Sequence, residues 1–510
     1  MRLGRARSVG LIGLEATLVD VEVSVGGGLP RTVLVGLPDA ALHEARDRCR
    51  AAVASAGFGW PEHLVTINLS PASLPKAGTH FDVAIIAAVL AANGAVPSGL
   101  LADSVLLGEV GLDGGVRPVR GVLPAVLAAV REGIGHAIVP AQQVREARLV
   151  DGARVHGIAS LADLAAVLAG QSIPEAATVQ PPVRRERVAD LIDVAGQLEA
   201  RWALEVAAAG AHHVHFLGPP GVGKTLLAER LPGILPDLST ADALEVAAIR
   251  SLVGLPDVGE LPRRPPYAAP HHSASVASIT GGGSQIARPG AISLAHRGVL
   301  FLDEAPEFSP RALEALRTPL ELGRIELARA RALTSYPARF QLVLASNPCP
   351  CGQAGTPGGV CTCPPMAVRR YAARLSGPIL DRIDIAQRLR PMTRAYLRAA
   401  GSAGEPSAAI AGRVVEARRR QVHRLREWGW STNAEVPGPV LRRKLPPPEG
   451  VELLDEAVSR GQLSARGVDK VVRLAWSIAD LAGAARPRPS DVRTALAMRR
   501  GDDAVEVRGG

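Results

Sequence analysis

Val214-His215-Phe216-Leu217-Gly218-Pro219-Pro220-Gly221-Val222-Gly223-Lys224-Thr225-Leu226-Leu227 is the stretch that decides the fold of this 510-residue chain. Its first four residues predict a short apolar strand, Gly218 to Thr225 a loop, and Leu226 to Leu231 a helix. That is the order a phosphate-binding loop requires. The glycines leave backbone N–H groups free to wrap phosphate oxygens, Lys224 brings a compact cation to the β and γ oxygens, and the Thr225 hydroxyl is a magnesium ligand. Of the 58 lysines and arginines only Lys76, Lys224, Lys444 and Lys470 are lysines, so chance accounts poorly for one placed directly after Gly223. ATP is the expected ligand, held by Gly218, Pro219, Pro220, Gly221, Val222, Gly223, Lys224 and Thr225.

A second apolar strand, Val299 to Leu302, ends in Asp303 and Glu304. Asp303 is expected to hold the magnesium, and Glu304 to orient and deprotonate the attacking water, since phosphoryl transfer depends on positioning and electrostatics. A third strand, Phe340 to Ser346, ends in Asn347. That amide is either a sensor of the γ-phosphate or a cap on the turn before Pro348. Further on, Arg382 sits between Asp381 and Asp384. It is either a finger reaching a neighbouring subunit's ATP or one half of a local ion pair.

Working outward, residues 1–170 alternate β-branched runs (Val19 to Val25, Thr32 to Val35, Leu64 to Asn68, Ala137 to Val139) with Ala-rich helical stretches (Ala40 to Ala56, Val122 to Arg131). This predicts an α/β domain. The polar, proline-bearing segment 171–188 reads as a linker, 189–395 as the P-loop core with a parallel sheet, and 396–510 as a helical lid. The expected helices of the lid are Ala408 to Trp428, Val451 to Arg460, Ser464 to Leu481 and Ser490 to Met498.

Hydrophobic residues make up 47% and charged residues 21% of the chain, a globular balance that excludes a disordered protein. Aromatics are only 3%, so base stacking on rings is not the expected route to nucleic acid, although the net charge of +9 permits an anionic partner. The N-terminus lacks the apolar run of a signal peptide, and the most apolar stretch, Val83 to Ala92, falls far short of the roughly 20 residues that span a bilayer. The expectation is a cytoplasmic protein without membrane association.

Together these features resemble the magnesium-chelatase-like AAA+ ATPases of the YifB/ComM type. The likeness spans nearly the whole chain and rests on Asp190 to Gln197, the phosphate loop, Ala269-Pro270-His271-His272-Ser273, Gly281 to Gly283, Arg288 to Gly290, Asp303-Glu304, Asn347 to Gly352, and Leu463 to Arg466. The resemblance implies a homo-oligomeric ring, hexameric, with Gln197 at the nucleotide, Arg382 as finger and Arg466 as a lid sensor. It also implies a DNA motor that drives branch migration in recombination. The other readings are a chelatase-type ATPase subunit that drives metal insertion and a scaffold that uses ATP only to assemble. The first domain resembles the proteolytic domain of Lon-type proteases through Asn68 to Ala72, Leu74 to Gly78 and Gly108 to Gly121. Here His80 occupies the matching nucleophile position, and Gly121 to Ala129 holds no lysine. A Ser-Lys dyad is therefore missing, and proteolysis is not expected.

Three features remain. Cys349, Cys351, Cys361 and Cys363 lie within one Gly/Pro-rich loop; they form a zinc site, a redox-sensitive cluster or free thiols. His271 and His272 lack a third ligand nearby for a metal of their own. Arg324, Arg329 and Arg331 beside a hairpin, and Arg413, Arg418, Arg419, Arg420, Arg424 and Arg426 along one helix, are either surface charge or contacts to a phosphate backbone.

Overall fold

A computed structural model describes residues 2–35, 39–74, 76, 78–173, 189–255, 259–283, 286–330, 332–355, 359–391 and 404–502. Most of the expected linker, and the expected boundary near residue 395, lie outside these residues. Among them, no helix is long and apolar enough to cross a membrane.

The N-terminal sheet has seven strands in the spatial order Arg31–Val35, Leu64–Ser70, Glu15–Gly26, Arg2–Ile12, Ser104–Leu106, His136–Pro140 and Arg154–Ile158. The long hairpin at its centre pairs Arg2 with Val25 through to Ile12 with Glu15. Arg2–Ile12 escapes a reading by apolar runs because arginines and glycines interrupt it; only Ala6, Ser8 and Val9, with the two glycines, are well buried. Helix Asp82–Ala92 covers this sheet and is buried at every position but Ala91. Its unbroken apolar sequence is that of a core helix, not a membrane span.

The core sheet runs Tyr267–Ala268, Val299–Leu302, Gln341–Ser346, Val214–Leu217, Ile385–Arg388, all parallel. A parallel sheet is covered on both faces, which is why its strands read as continuous apolar runs. Val299 and Phe301 face one side with Val214, Phe216 and Val343, while Leu300 and Leu302 face the other with Leu342, Leu344 and Leu316.

C-terminal to this sheet the described chain is helical: Ser407–Leu425, Gly438–Arg443, Glu452–Ser459, Ala465–Leu481 and Pro489–Arg500. The architecture is thus an α/β N-terminal domain, a P-loop core with a parallel sheet, and a helical lid. Lid and core share one continuous apolar cluster, in which Val414, Leu425, Val471 and Trp476 join Val206, Val214 and Phe216.

The arginines of Ser407–Leu425 hold that junction together. Arg413 grips Glu205 and Glu405, Arg418 donates to the Ala208 carbonyl, and Arg424 pairs with Asp480 while lying over the Trp476 ring. Arg419 and Arg420 pair with Glu416. Of this helix's cations, Arg413 and Arg418 hold the lid to the core and Arg424 binds within the lid, while Arg419 and Arg420 keep the solvated face expected as one alternative. Helix Thr240–Val253 ties the core to the N-terminal sheet: Leu123 N–H donates to Ser251 Oγ at 3.4 Å, and Ala248 enters the apolar cluster around Val122 and Val126.

Candidate active site

Strand Val214–Leu217 lies between its two parallel neighbours, with Val214 level with both Val343 and Ile385. Three carboxyl ends therefore finish together, and the crevice beyond them is where open α/β sheets take ligands. Gly218 N–H donates to the Ser346 carbonyl at 3.2 Å, fixing the start of the loop. Gly223 leaves it at φ +94°, a left-handed backbone that an L side chain adopts only with strain.

Lys224 is buried, and burial lowers its pKa below the ordinary lysine value. Its Nζ donates to Gly218 O at 2.6 Å, Pro219 O at 2.9 Å and Asn347 Oδ1 at 2.9 Å. A cation desolvated among neutral carbonyls gains most when anionic phosphate replaces them. Asn347 thus turns towards the lysine at the end of its strand, where a γ-phosphate sensor would stand. Gln197 reaches the same loop from the start of helix Leu198–Gly210, its Nε2 donating to Val222 O at 3.2 Å and Arg390 O at 2.9 Å.

Thr225 Oγ1 donates to Asp303 Oδ2 at 2.8 Å. A hydroxyl and a carboxylate converging on one point are hard oxygen donors that fit magnesium, which takes its remaining ligands from water and phosphate. Bound there, the ion would neutralise charge on the β and γ oxygens. Glu304 is turned elsewhere. It lies at φ +50°, uncommon for a residue with a side chain, and its N–H donates to Asp303 Oδ1 at 2.9 Å. The backbone twist sends the two carboxylates in different directions, Asp303 towards Thr225 and Glu304 towards His272.

One neighbour of Glu304 has no role in the sequence reading. His272 Nδ1 lies 3.3 Å from Glu304 Oε2, and its ring lies tilted 4.1 Å from that of His271, which is held by Ser273 Oγ at 2.8 Å. The five residues Ala269 to Ser273 stood out as a motif, but only the fold brings the second histidine to Glu304. If Glu304 serves as the base, His272→Ala should lower kcat roughly ten-fold, about 1.4 kcal/mol for the lost contact with its carboxylate, with ATP affinity unchanged. Steady-state hydrolysis alongside nucleotide titration checks this, and an unaltered kcat removes His272 from the site.

Arg382 and Arg466 are not brought to this loop. Arg382 precedes strand Ile385–Arg388 and so lies at its amino end, whereas Gly218 follows the carboxyl end of the paired strand. Four strand residues separate the two edges by about 13 Å. Arg382 donates to Pro378 O at 2.6 Å and pairs with Glu321, while its buried Nε has no partner among the described residues. The local pair expected with Asp381 or Asp384 is replaced by this one. Asp384 is instead held well below the usual carboxylate range by Lys470, 2.7 Å away. Arg466 is exposed and stands 3.6 Å from Asp381, lining the same cleft as Arg382. A lid sensor on its own subunit's nucleotide is not what this placement provides.

The four loop cysteines do come together. All four Sγ atoms lie within 4.8 Å of one another, with Cys349 to Cys351 at 3.3 Å and Cys361 at 3.7 Å from both. Cys49 is buried alone in the N-terminal core. Arg324 pairs with Glu326, and Arg329 donates to the Gly283 and Ala328 carbonyls; Arg331 lies outside the described residues.

Family profiles match this arrangement along the chain. Magnesium chelatase, subunit ChlI, covers residues 190–397, its C-terminal profile covers 404–499, and a further profile, subunit ChlI of Mg-chelatase, covers 21–143. An uncharacterized protein of Mycobacterium tuberculosis is 52% identical over 98% of this chain and 99% of its own length. YifB of Escherichia coli is 41% identical over 94% of both chains, and competence protein ComM of Haemophilus influenzae is 39% identical over 95% of this chain and 94% of its own. The chain belongs to the YifB/ComM family of magnesium-chelatase-like AAA+ ATPases. As a YifB/ComM-family protein it is an ATP-hydrolysing enzyme.

The N-terminal domain of this YifB/ComM-family chain also has a distant, partial likeness to Lon protease 2 of Thermus thermophilus, 34% identity over 130 residues, or 24% of this chain and 16% of that one. Burial pushes the pKa of His80 down to about 4, so the ring is neutral. Lys76, the one lysine of residues 1–170, is turned into the backbone and donates to Pro71 O and, at 3.3 Å, to Leu74 O.

Proposed function

We propose that the chain is a chelatase-type ATPase subunit that assembles into a ring, hexameric by family resemblance, and uses hydrolysis to drive conformational work on a partner. The observation that carries this is the divided site. Lys224, Thr225, Asp303, Glu304 and Asn347 stand at the carboxyl edge of the core sheet, and Arg382 with Arg466 at its amino edge. A head-to-tail contact that offers one subunit's arginines to the next subunit's triphosphate is heterologous, and such contacts make a ring when the rotation between subunits closes. Magnesium is assigned to Thr225 and Asp303, and zinc to the four cysteines. The family descriptions, all three of magnesium chelatase, favour the chelatase-type reading.

A DNA motor active in recombination is the second reading, supported by the end-to-end likeness to a competence protein and by the net charge of +9. The internal partners of Arg329, Arg413, Arg418 and Arg424 weaken it. The proposed division is 1–170, a docking domain without proteolytic activity, then 171–188, 189–395 and 396–510, in a cytoplasmic protein.

ATP turnover and particle mass of the purified full chain, measured with and without single-stranded and branched DNA at low salt, test these readings. Magnesium-dependent turnover by a ring indifferent to DNA is the expected result. Stimulation by DNA replaces the chelatase-type reading with the motor, and absence of nucleotide binding overturns both.

A further inference from the structure

We infer that the four-cysteine loop is a zinc knuckle that clamps the phosphate loop, so that ATP turnover depends on a structural zinc ion outside the nucleotide site. The inference rests on reading the cluster as a zinc site, which its geometry supports. Four thiolates at about 2.3 Å from one tetrahedral zinc lie about 3.8 Å from each other, and the observed separations are 3.3, 3.7 and 3.7 Å. A disulfide needs about 2.05 Å. Four soft thiolates around one point select zinc or another thiophilic ion over magnesium.

The backbone is built to carry sulfur charge. Cys349 Sγ accepts the Ala354 N–H at 3.3 Å, and the N–H groups of Gln353 and Thr362 are directed at Cys351. Gly352 closes the turn by donating to Cys349 O at 2.9 Å with φ +78°, a conformation that favours glycine. Such N–H to sulfur bonds orient and tune a metal's ligands.

The knuckle also touches the catalytic machinery on two sides. Cys349 follows Asn347 by two residues, and Asn347 holds Lys224. A Cβ on Gly352 would fall 2.5 Å from Pro220 Cδ, so the turn lies directly against the phosphate loop. An ion that fixes Cys349 and Cys351 therefore fixes Asn347 and backs Pro220. Without it nothing ties the four sulfur atoms to one another, and the loop that follows Asn347 loses its closure.

The test is elemental analysis of the full-length protein purified without chelator, followed by zinc removal with a thiophilic chelator that spares magnesium. One zinc per chain is expected, retained by Cys49→Ser and lost by Cys351→Ser and Cys363→Ser. Zinc removal from the wild-type protein should cut ATP turnover at least ten-fold, with circular dichroism unchanged and activity restored by added zinc. A protein without metal, or with iron in its place, overturns the zinc reading and the clamp with it. Zinc whose removal leaves turnover untouched overturns the clamp alone. Zinc-loaded protein that binds no ATP overturns the ATPase reading, which the metal analysis leaves separate.

Discussion

Alanine at Arg382 should lower ATP turnover by roughly 10³- to 10⁵-fold, the range an arginine finger contributes to phosphoryl transfer, while each subunit still binds ATP. The reason is placement. The guanidinium lies at the amino edge of the core sheet, about 13 Å from the phosphate loop by strand length, and cannot serve the triphosphate of its own subunit. Its Nε has no partner among the described residues and its Nη2 rests on Glu321, an acidic partner that a triphosphate could displace. Rings mixed from Arg382→Ala and Glu304→Gln subunits decide the matter. At interfaces where an Arg382→Ala subunit supplies Glu304 and its neighbour supplies Arg382, the site is whole. Hydrolysis should reappear in the mixture although neither variant has it alone. A mixture as inert as its components shows that Arg382 does not act across the interface.

Glu304→Gln should bind ATP with wild-type affinity and hydrolyse it roughly 10²- to 10⁴-fold more slowly, the contribution of a positioned general base. The two carboxylates are separated by backbone geometry: Asp303 is engaged by Thr225, whereas Glu304, at φ +50°, faces His272. Removing its charge therefore leaves the phosphate and magnesium ligands in place. Trapping of ATP on the variant, read by nucleotide titration beside single-turnover hydrolysis, is the expected result. Turnover at the wild-type rate reassigns the base, and loss of binding makes Glu304 a structural residue of the loop.

Much of this site is legible in the chain because its chemistry is local. Gly218 to Thr225 is one continuous loop, Asp303 and Glu304 close one apolar strand, and Asn347 closes another. The regular helices of the lid are also legible from their apolar periodicity. Arg2–Ile12 is not, because a strand dotted with arginine and glycine shows its buried face only against its partners in the sheet. His272 is a similar case. Its motif is visible, but its partner Glu304 is 32 residues further along the chain.

The sequence by itself marked out a nucleotide site: a glycine-rich loop with its lysine, an acidic pair at a strand end, and the strands that carry them. Spacing and hydrophobic period encode such things within a few residues. Only the tertiary structure decided how the arginines divide. Arg418 and Arg424 bond to groups 210 and 56 residues away and hold the lid, while Arg382 and Arg466 meet in one cleft on the far edge of the sheet. A guanidinium is the same in every setting, and its task follows from which acceptor the fold brings within hydrogen-bonding distance.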